Sequence, residues 1–214
     1  TYTFLLAAVI YPVIIAFTWS VHSDATGLVE LITGTAFKDF AGGMIVHGMG
    51  GIAGLVAAAV LGPRMGRFNE DGSANVIPGH SMTFAVLGTL ILAFGWYGFN
   101  VGTGAIYSDG EFAAATLGRI AATTTLSMAM GAIGAAGVAL YRTGKVDTLY
   151  VANGLLAGLV GITAFPDAST IGGAVLVGLV SGAQLPIVFG FVEKRLNIDD
   201  VCAVFPVHGS AGVI

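Results

Sequence analysis

Seven long apolar runs restrict the folding of this chain more than any other feature. They cover approximately residues 1–21, 40–62, 80–107, 112–141, 150–166, 169–191 and 201–214. Most are as long as the roughly 20 residues that cross a bilayer as an α-helix. A transmembrane β-barrel would instead need short segments of alternating polarity, whereas these runs are continuous. The sequence therefore predicts an all-α membrane protein, a polytopic bundle of transmembrane helices.

The composition supports a lipid environment. Only 9% of the residues are charged, against about 25% in a typical soluble domain. The net charge of −4 and the absence of a basic run argue against a nucleic-acid partner. Small residues four apart favour close helix packing, and they recur at Gly50/Gly54, Gly98/Gly102, Gly154/Gly158 and Gly178/Gly182. We expect the third run to break or tilt, because glycines are threaded through its second half.

The basic residues are distributed unevenly between the connections. Six of the eight lie in alternate connections, at Arg64, Arg67, Arg142, Lys145, Lys194 and Arg195. Cytoplasmic loops are the ones rich in Lys and Arg, so this end of the bundle is predicted to be cytoplasmic. The other end is mainly acidic, with Asp24, Glu30, Lys38, Asp39, Asp109, Glu111 and Asp167. An acidic mouth attracts cations, although solvation alone explains most of these charges.

One motif occurs twice. Asp39 and Asp200 each begin the pattern D-x6-V-H-G-x2-G, and the second copy lies 161 residues after the first. The copies fall in the second and seventh runs, which are five crossings apart, so their helices run in opposite directions. This pattern indicates an inverted-topology repeat, in which substrate sites lie near the midplane at the repeat interface.

The motif predicts a pair of histidines at mid-membrane. His47 and His208 each follow their Asp by eight residues, about 12 Å of helix. Two neutral imidazoles can share a hydrogen bond and pass a proton near physiological pH. Either histidine alone would be explained by a bond to a neighbouring helix, but a matched pair favours function. Asp39 and Asp200 are each predicted to cap the start of a helix. Asp39 is also predicted to support a cation site.

Aromatic residues accompany these motifs. Trp19 ends the first run, where a Trp commonly serves as an interfacial anchor but can also form a cation–π wall. Residues 94–104 place Trp96, Phe99 and Thr103 among glycines. Ordinary packing explains the two aromatic rings; a hydrophobic plug at Phe99 and a cation-binding hydroxyl at Thr103 are the functional alternatives.

Four stretches together closely resemble the ammonium transporter family, the Amt/MEP/Rh proteins, and their Amt/MEP branch in particular. They are DFAGGMIVH, FGWYGFNVGT, NGLLAGLVGITA and the pattern DD-x7-HG. The resemblance implies the ammonium transporter fold, with eleven helices, an inverted five-plus-five repeat and a homotrimer in the cell membrane. Residues 1–214 would form a single transporter domain truncated at both ends, holding about seven of the eleven helices.

The resemblance also implies roles for individual residues. His47 and His208 correspond to the twin pore histidines of the proton relay. Trp19, Thr103 and Asp39 correspond to the outer ammonium-binding site. Phe99 corresponds to the inner phenylalanine of the gate and Trp96 to a pore-lining residue.

The function implied is transport, in which NH4+ is recruited and deprotonated and NH3 crosses a hydrophobic pore. No enzyme activity, metal or cofactor is implied. One alternative is an ammonium sensor that uses the same fold, coupled to a cytoplasmic signalling domain; a cytoplasmic regulatory protein is a further expected partner. An intramembrane metalloenzyme ranks last, because eight residues place each Asp about two helical turns from its His.

Overall fold

The computed structural model describes residues 2–19, 27–107 and 114–214. The helices are α1 (Tyr2–Thr18), α2 (Leu28–Thr33), α3 (Gly43–Leu61), α4 (Met82–Tyr107), α5 (Ala114–Thr143), α6 (Thr148–Ile162), α7 (Ile171–Arg195) and α8, which comprises Phe205–Ser210 and the 3₁₀ turn Ala211–Val213. By length and composition, α3, α4, α5 and α7 are each able to cross a membrane.

Each of the seven apolar runs coincides largely with one of these helices, and the fold is helical as predicted. The short helix α2 was not expected. The predicted break in the third run is wrong, because α4 is continuous over 26 residues. A glycine lowers helix stability by roughly 1 kcal/mol, but a broken helix in lipid would leave backbone N–H and C=O groups without water or a partner. The unbroken helix is therefore favoured despite its glycines.

The packed centre of the bundle is where α5, α6 and α7 meet through small residues. A Cβ on Gly131 of α5 would lie 2.8 Å from the Cα of Gly158 on α6. A Cβ on Gly182 of α7 would overlap the backbone of Gly131 from the other side. Two of the predicted small-residue pairs, Gly154/Gly158 and Gly178/Gly182, therefore face neighbouring helices. Gly98 and Gly102 instead border open space.

The alternate connections gather at opposite ends of the bundle, as the charge pattern predicts. At one end, which we call the basic end, Arg67 pairs with Glu193 of α7. At the other, the acidic end, Lys38 lies 3.8 Å from Asp167. Three of the acidic residues assigned to that end, Asp24, Asp109 and Glu111, lie outside the described residues.

An ion-pair cluster joins the two halves of the chain at the basic end. Asp199, immediately before the second motif, accepts bonds from Arg64 Nε at 2.7 Å and Arg64 Nη2 at 2.9 Å. Arg67 Nε donates to the same carboxylate at 3.2 Å. The Asp199 side chain is only 3% exposed. Hydrogen bonds from Arg64, together with the positive charges of Arg64 and Arg67, lower the pKa of Asp199 to about 2.

We expect Asp199→Asn to lower the free energy of unfolding of the full-length protein by roughly 1.5–3 kcal/mol, the range for hydrogen bonds to charged groups. SDS titration in micelles measures this change. Lys38→Gln is the matched control, because it removes the exposed Lys38–Asp167 pair and should change stability by less than about 1 kcal/mol. Equal effects of the two substitutions would contradict a structural role for the cluster.

The same cluster predicts a pH dependence. Because the pKa of Asp199 is lowered by folding, its contribution is fully present above the ordinary carboxyl pKa of about 4. It is lost as the pH falls toward about 2. The stability difference between wild type and Asp199→Asn should therefore shrink over that interval, which SDS titrations repeated at several pH values would measure.

Candidate functional site

The two motif helices cross in close contact and in opposite directions. A Cβ on Gly51 of α3 would overlap the backbone of Gly209 on α8. A Cβ on Gly212 would lie 2.7 Å from the backbone nitrogen of Gly48. Each motif glycine therefore packs against the opposite glycine of the other copy. This reciprocal contact is what an inverted repeat requires, and it brings together the two histidines that directly precede Gly48 and Gly209.

The two imidazoles meet at this crossing. His47 Nδ1 lies 3.1 Å from His208 Nδ1, and the ring centroids are 5.2 Å apart with planes 15° from parallel. A bond between two Nδ1 atoms requires one ring to donate and the other to accept. If the two rings changed these roles, a proton would have moved across the contact.

Both histidines lie on π-helical backbone. One segment is Gly43–Gly48 and the other is Phe205–Ser210. In the first, the backbone N–H of His47 bonds to the carbonyl of Gly42, five residues earlier, at 3.0 Å. Single π turns inside α-helices are frequent at functional sites. The sequence does not predict this feature, since hydrophobic periodicity does not distinguish a single π turn from an α turn.

Aromatic rings enclose His47. The Trp96 ring stacks on it, with centroids 4.8 Å apart and planes 18° from parallel. Phe99 lies 5.4 Å from the same imidazole. His47 Nε2 is buried, and no hydrogen-bond partner for it lies among the described residues. The structure thus brings together four of the predicted site residues: both histidines, Trp96 and Phe99.

Hydroxyl groups on α5 and directly after α6 accept hydrogen bonds from this side of α4. Trp96 Nε1 donates to Thr163 Oγ1 at 3.0 Å. One turn further along α4, Asn100 Nδ2 donates to Thr124 Oγ1 at 3.1 Å. No role is predicted from the sequence for Thr163, Asn100 or Thr124. Each donor and its acceptor are far apart in sequence, so spacing gave no signal for these contacts.

The Asp39 carboxylate caps the start of α3. Its two oxygens accept four backbone N–H bonds, from Gly42, Gly43, Met44 and Ile45, at 2.7–3.0 Å. Asp200 caps α8 in the same way, with bonds from Val204 and Phe205. Asp39 is 3% exposed, so it can act on a cation at the acidic end through its charge but not as a direct ligand.

Trp19 reaches the same region. Its indole Nε1 donates to the Asp39 backbone carbonyl at 2.9 Å, which joins the end of α1 to the segment before α3. Thr103 is different, since its hydroxyl donates to the Phe99 carbonyl one turn back on α4 at 2.7 Å. That bond connects Thr103 to Phe99 and not to Trp19 or Asp39.

The chain is similar to known proteins over its whole length. The chain matches the Ammonium Transporter Family over residues 1–214. It belongs to that family. The ammonium transporter Amt2 of Haloferax mediterranei is 70% identical over 100% of this chain and 46% of that protein. Amt1 of Methanocaldococcus jannaschii is 41% identical over 98% of this chain and 49% of that protein.

Solved structures of the family share the fold. A structure entitled "Sensor Amt Protein" superposes with a TM-score of 0.87 at 35% identity, covering 98% of this chain and 50% of that one. The crystal structure of Mep2 from Saccharomyces cerevisiae superposes with a TM-score of 0.80 at 32% identity, covering 99% of this chain and 44% of that one. The chain thus has the ammonium transporter fold and forms part of a multi-pass membrane protein. It spans about half the length of the curated relatives named above.

Proposed function

We propose that the protein containing this chain transports ammonium across the membrane. The observation that carries this proposal is the 3.1 Å contact between His47 and His208, partly buried at the crossing of two antiparallel helices. Ionisable side chains inside a membrane bundle are energetically costly, and their presence there points to a function. The names of the relatives, which are ammonium transporters, support the same conclusion.

The site residues suggest the sequence of steps. An ammonium ion is first attracted to the acidic end, where the Trp19 ring offers a cation–π surface and the Asp39 charge lies just below. Thr103 supplies a hydroxyl near Phe99. A charged ion is costly in an apolar passage, so the ion gives up one proton beside the Phe99 ring. The products are neutral NH3 and one proton.

The histidine pair then carries the proton separately from NH3. One imidazole accepts the proton on a ring nitrogen, and the proton already shared in the Nδ1–Nδ1 bond shifts to the other ring. The second ring releases a proton toward the basic end, where it rejoins NH3. Trp96 and Phe99 keep water away from the pair.

We also propose a homotrimer and a cytoplasmic regulatory partner, both on the strength of the family resemblance.

An ammonium sensor is the second candidate. The observation in its favour is the 0.87 superposition on the structure entitled "Sensor Amt Protein". In a sensor the same site would bind ammonium, and a cytoplasmic domain joined to the chain would report its occupancy. A kinase or cyclase module in the full-length sequence would favour this alternative.

Reconstitution of the full-length protein into liposomes tests the proposal. Radiolabelled methylammonium uptake and the ammonium-evoked current on a supported membrane should both exceed those of protein-free liposomes. A sensor with no transport activity would bind methylammonium without moving it. Binding without uptake would therefore replace the transport proposal with the sensor, and the absence of both would contradict each of them.

A further inference from the structure

Thr163 joins the end of α6 to two other parts of the site, the segment before α3 and Trp96 on α4. It lies directly after α6 and is completely buried. Its backbone carbonyl accepts the N–H of Ala41 at 3.1 Å, and the next carbonyl, of Ala164, accepts the N–H of Phe40 at 2.8 Å. The end of α6 therefore fixes the short segment between the Asp39 cap and the first turn of α3.

The Thr163 hydroxyl is oriented by its own helix. Its Oγ1 donates to the Leu159 carbonyl at 2.7 Å, which uses the single hydroxyl proton. The oxygen lone pairs are then directed away from that bond, and one of them accepts Trp96 Nε1. Trp96 is 7% exposed, so its N–H would have no water to bond if Thr163 were absent.

The position of Trp96 in turn limits the His47 ring. The indole covers one face of the imidazole at 4.8 Å, and His208 lies 5.2 Å away and nearly parallel to it. A tilted indole would open space beside His47 and let that ring rotate. Rotation about its bond to Cβ would move Nδ1 away from His208 and lengthen the 3.1 Å contact.

We infer that Thr163 is a positioning residue for proton transfer: its hydroxyl holds the Trp96 indole flat against His47 and so keeps the two Nδ1 atoms within hydrogen-bond distance. This role rests on the transport function proposed above. Thr163 acts through Trp96, since its hydroxyl bonds to Trp96 and Leu159 and its backbone to Ala41 and Val160.

Two substitutions isolate the hydroxyl. Thr163→Val keeps the shape but removes the acceptor, and it should lower the ammonium-evoked current of the full-length protein roughly fivefold, the change expected from losing one ordinary hydrogen bond. Thr163→Ser restores the acceptor and should restore the current. Both proteins must show wild-type size-exclusion profiles, which separates this effect from misfolding. A wild-type current in Thr163→Val would overturn the inference.

A double-mutant cycle tests whether the effect passes through Trp96. In a Trp96→Phe background no indole N–H exists, so Thr163→Val should cause no further loss of current. An equal fivefold loss in both backgrounds would show that Thr163 acts by another route and would overturn the inference.

A spectroscopic measurement tests the positioning role of Thr163 independently of the proposed transport function. Solid-state ¹⁵N NMR of histidine-labelled protein in liposomes reports the Nδ1 resonances of the bonded pair. Thr163→Val should shift these resonances and Thr163→Ser should not, with exposed His80 as the internal reference. If the wild type carried no current but Thr163→Val still shifted the pair, the proposed function would fail and the positioning role would stand. Unshifted resonances in Thr163→Val would overturn the positioning role.

Discussion

Replacing His47 with alanine is expected to lower the ammonium-evoked current of the full-length protein about a hundredfold, the lower part of the range for losing a proton-transfer group. Without His47, the remaining imidazole of His208 has no ring nitrogen within hydrogen-bond distance among the described residues with which to exchange a proton. The proton must then cross an apolar region as a free charge, which is strongly unfavourable. Solid-supported membrane electrophysiology measures this current directly.

The histidines provide their own controls. His208→Ala should resemble His47→Ala, since the 3.1 Å bond needs both rings. His80 is exposed in the connection before α4, so His80→Ala should leave the current unchanged. Ammonia entry, followed by an internal pH dye, can persist in the His47 variant because a neutral molecule needs no proton carrier. An unchanged current in both His47→Ala and His208→Ala would remove the relay from the mechanism.

The two repeats share a backbone geometry but differ in charge. Each copy places a capping Asp before a π-helical segment that carries a histidine. The residue before the cap is Lys38 in the first copy and Asp199 in the second. Lys38 forms an exposed pair at 3.8 Å, whereas Asp199 is buried between two arginines. The two repeats are thus symmetric at the histidine pair but differ at the two ends of the bundle, which face different solutions.

The sequence predicted the helices and the histidine contact for a clear physical reason. Long apolar runs have few alternatives to a helix in lipid. When a motif is repeated on two antiparallel helices, the equivalent residues of the two copies lie side by side at only one depth in the membrane. The π turns at His47 and His208 and the continuity of α4 were missed. These features depend on packing between helices rather than on local pattern. The Trp96–Thr163 bond spans 67 residues, so spacing along the chain could not indicate it.

The close crossing of α3 and α8 makes Gly51 a position where one added methyl group should strongly destabilise the fold. Gly51→Ala places a Cβ against backbone atoms of Gly209 and within 2.8 Å of the His208 carbonyl carbon. Backbone atoms cannot turn aside as a flexible side chain can, so the two helices must separate. Overpacking of a filled interior lowers the free energy of unfolding by typically about 1–3 kcal/mol, and we expect the upper end here.

The neighbouring glycine supplies the matched control. Gly50 precedes it on the same helix, and a Cβ there would meet nothing within 4 Å. Gly50→Ala should therefore leave the melting temperature unchanged or slightly raised, since alanine favours helix by about 1 kcal/mol over glycine. Gly212→Ala, which would contact the Gly48 backbone, should be as destabilising as Gly51→Ala. Thermal unfolding of the detergent-purified full-length variants measures all three.

The glycine variants also connect stability to the histidine pair. Separating α3 from α8 lengthens the distance between His47 and His208, so any Gly51→Ala protein that folds should also lose most of its ammonium-evoked current. Gly50→Ala should keep the current. If Gly51→Ala matched Gly50→Ala in both melting temperature and current, the helices could not cross as closely as the structure places them. The 3.1 Å contact between the rings would then lose its structural basis.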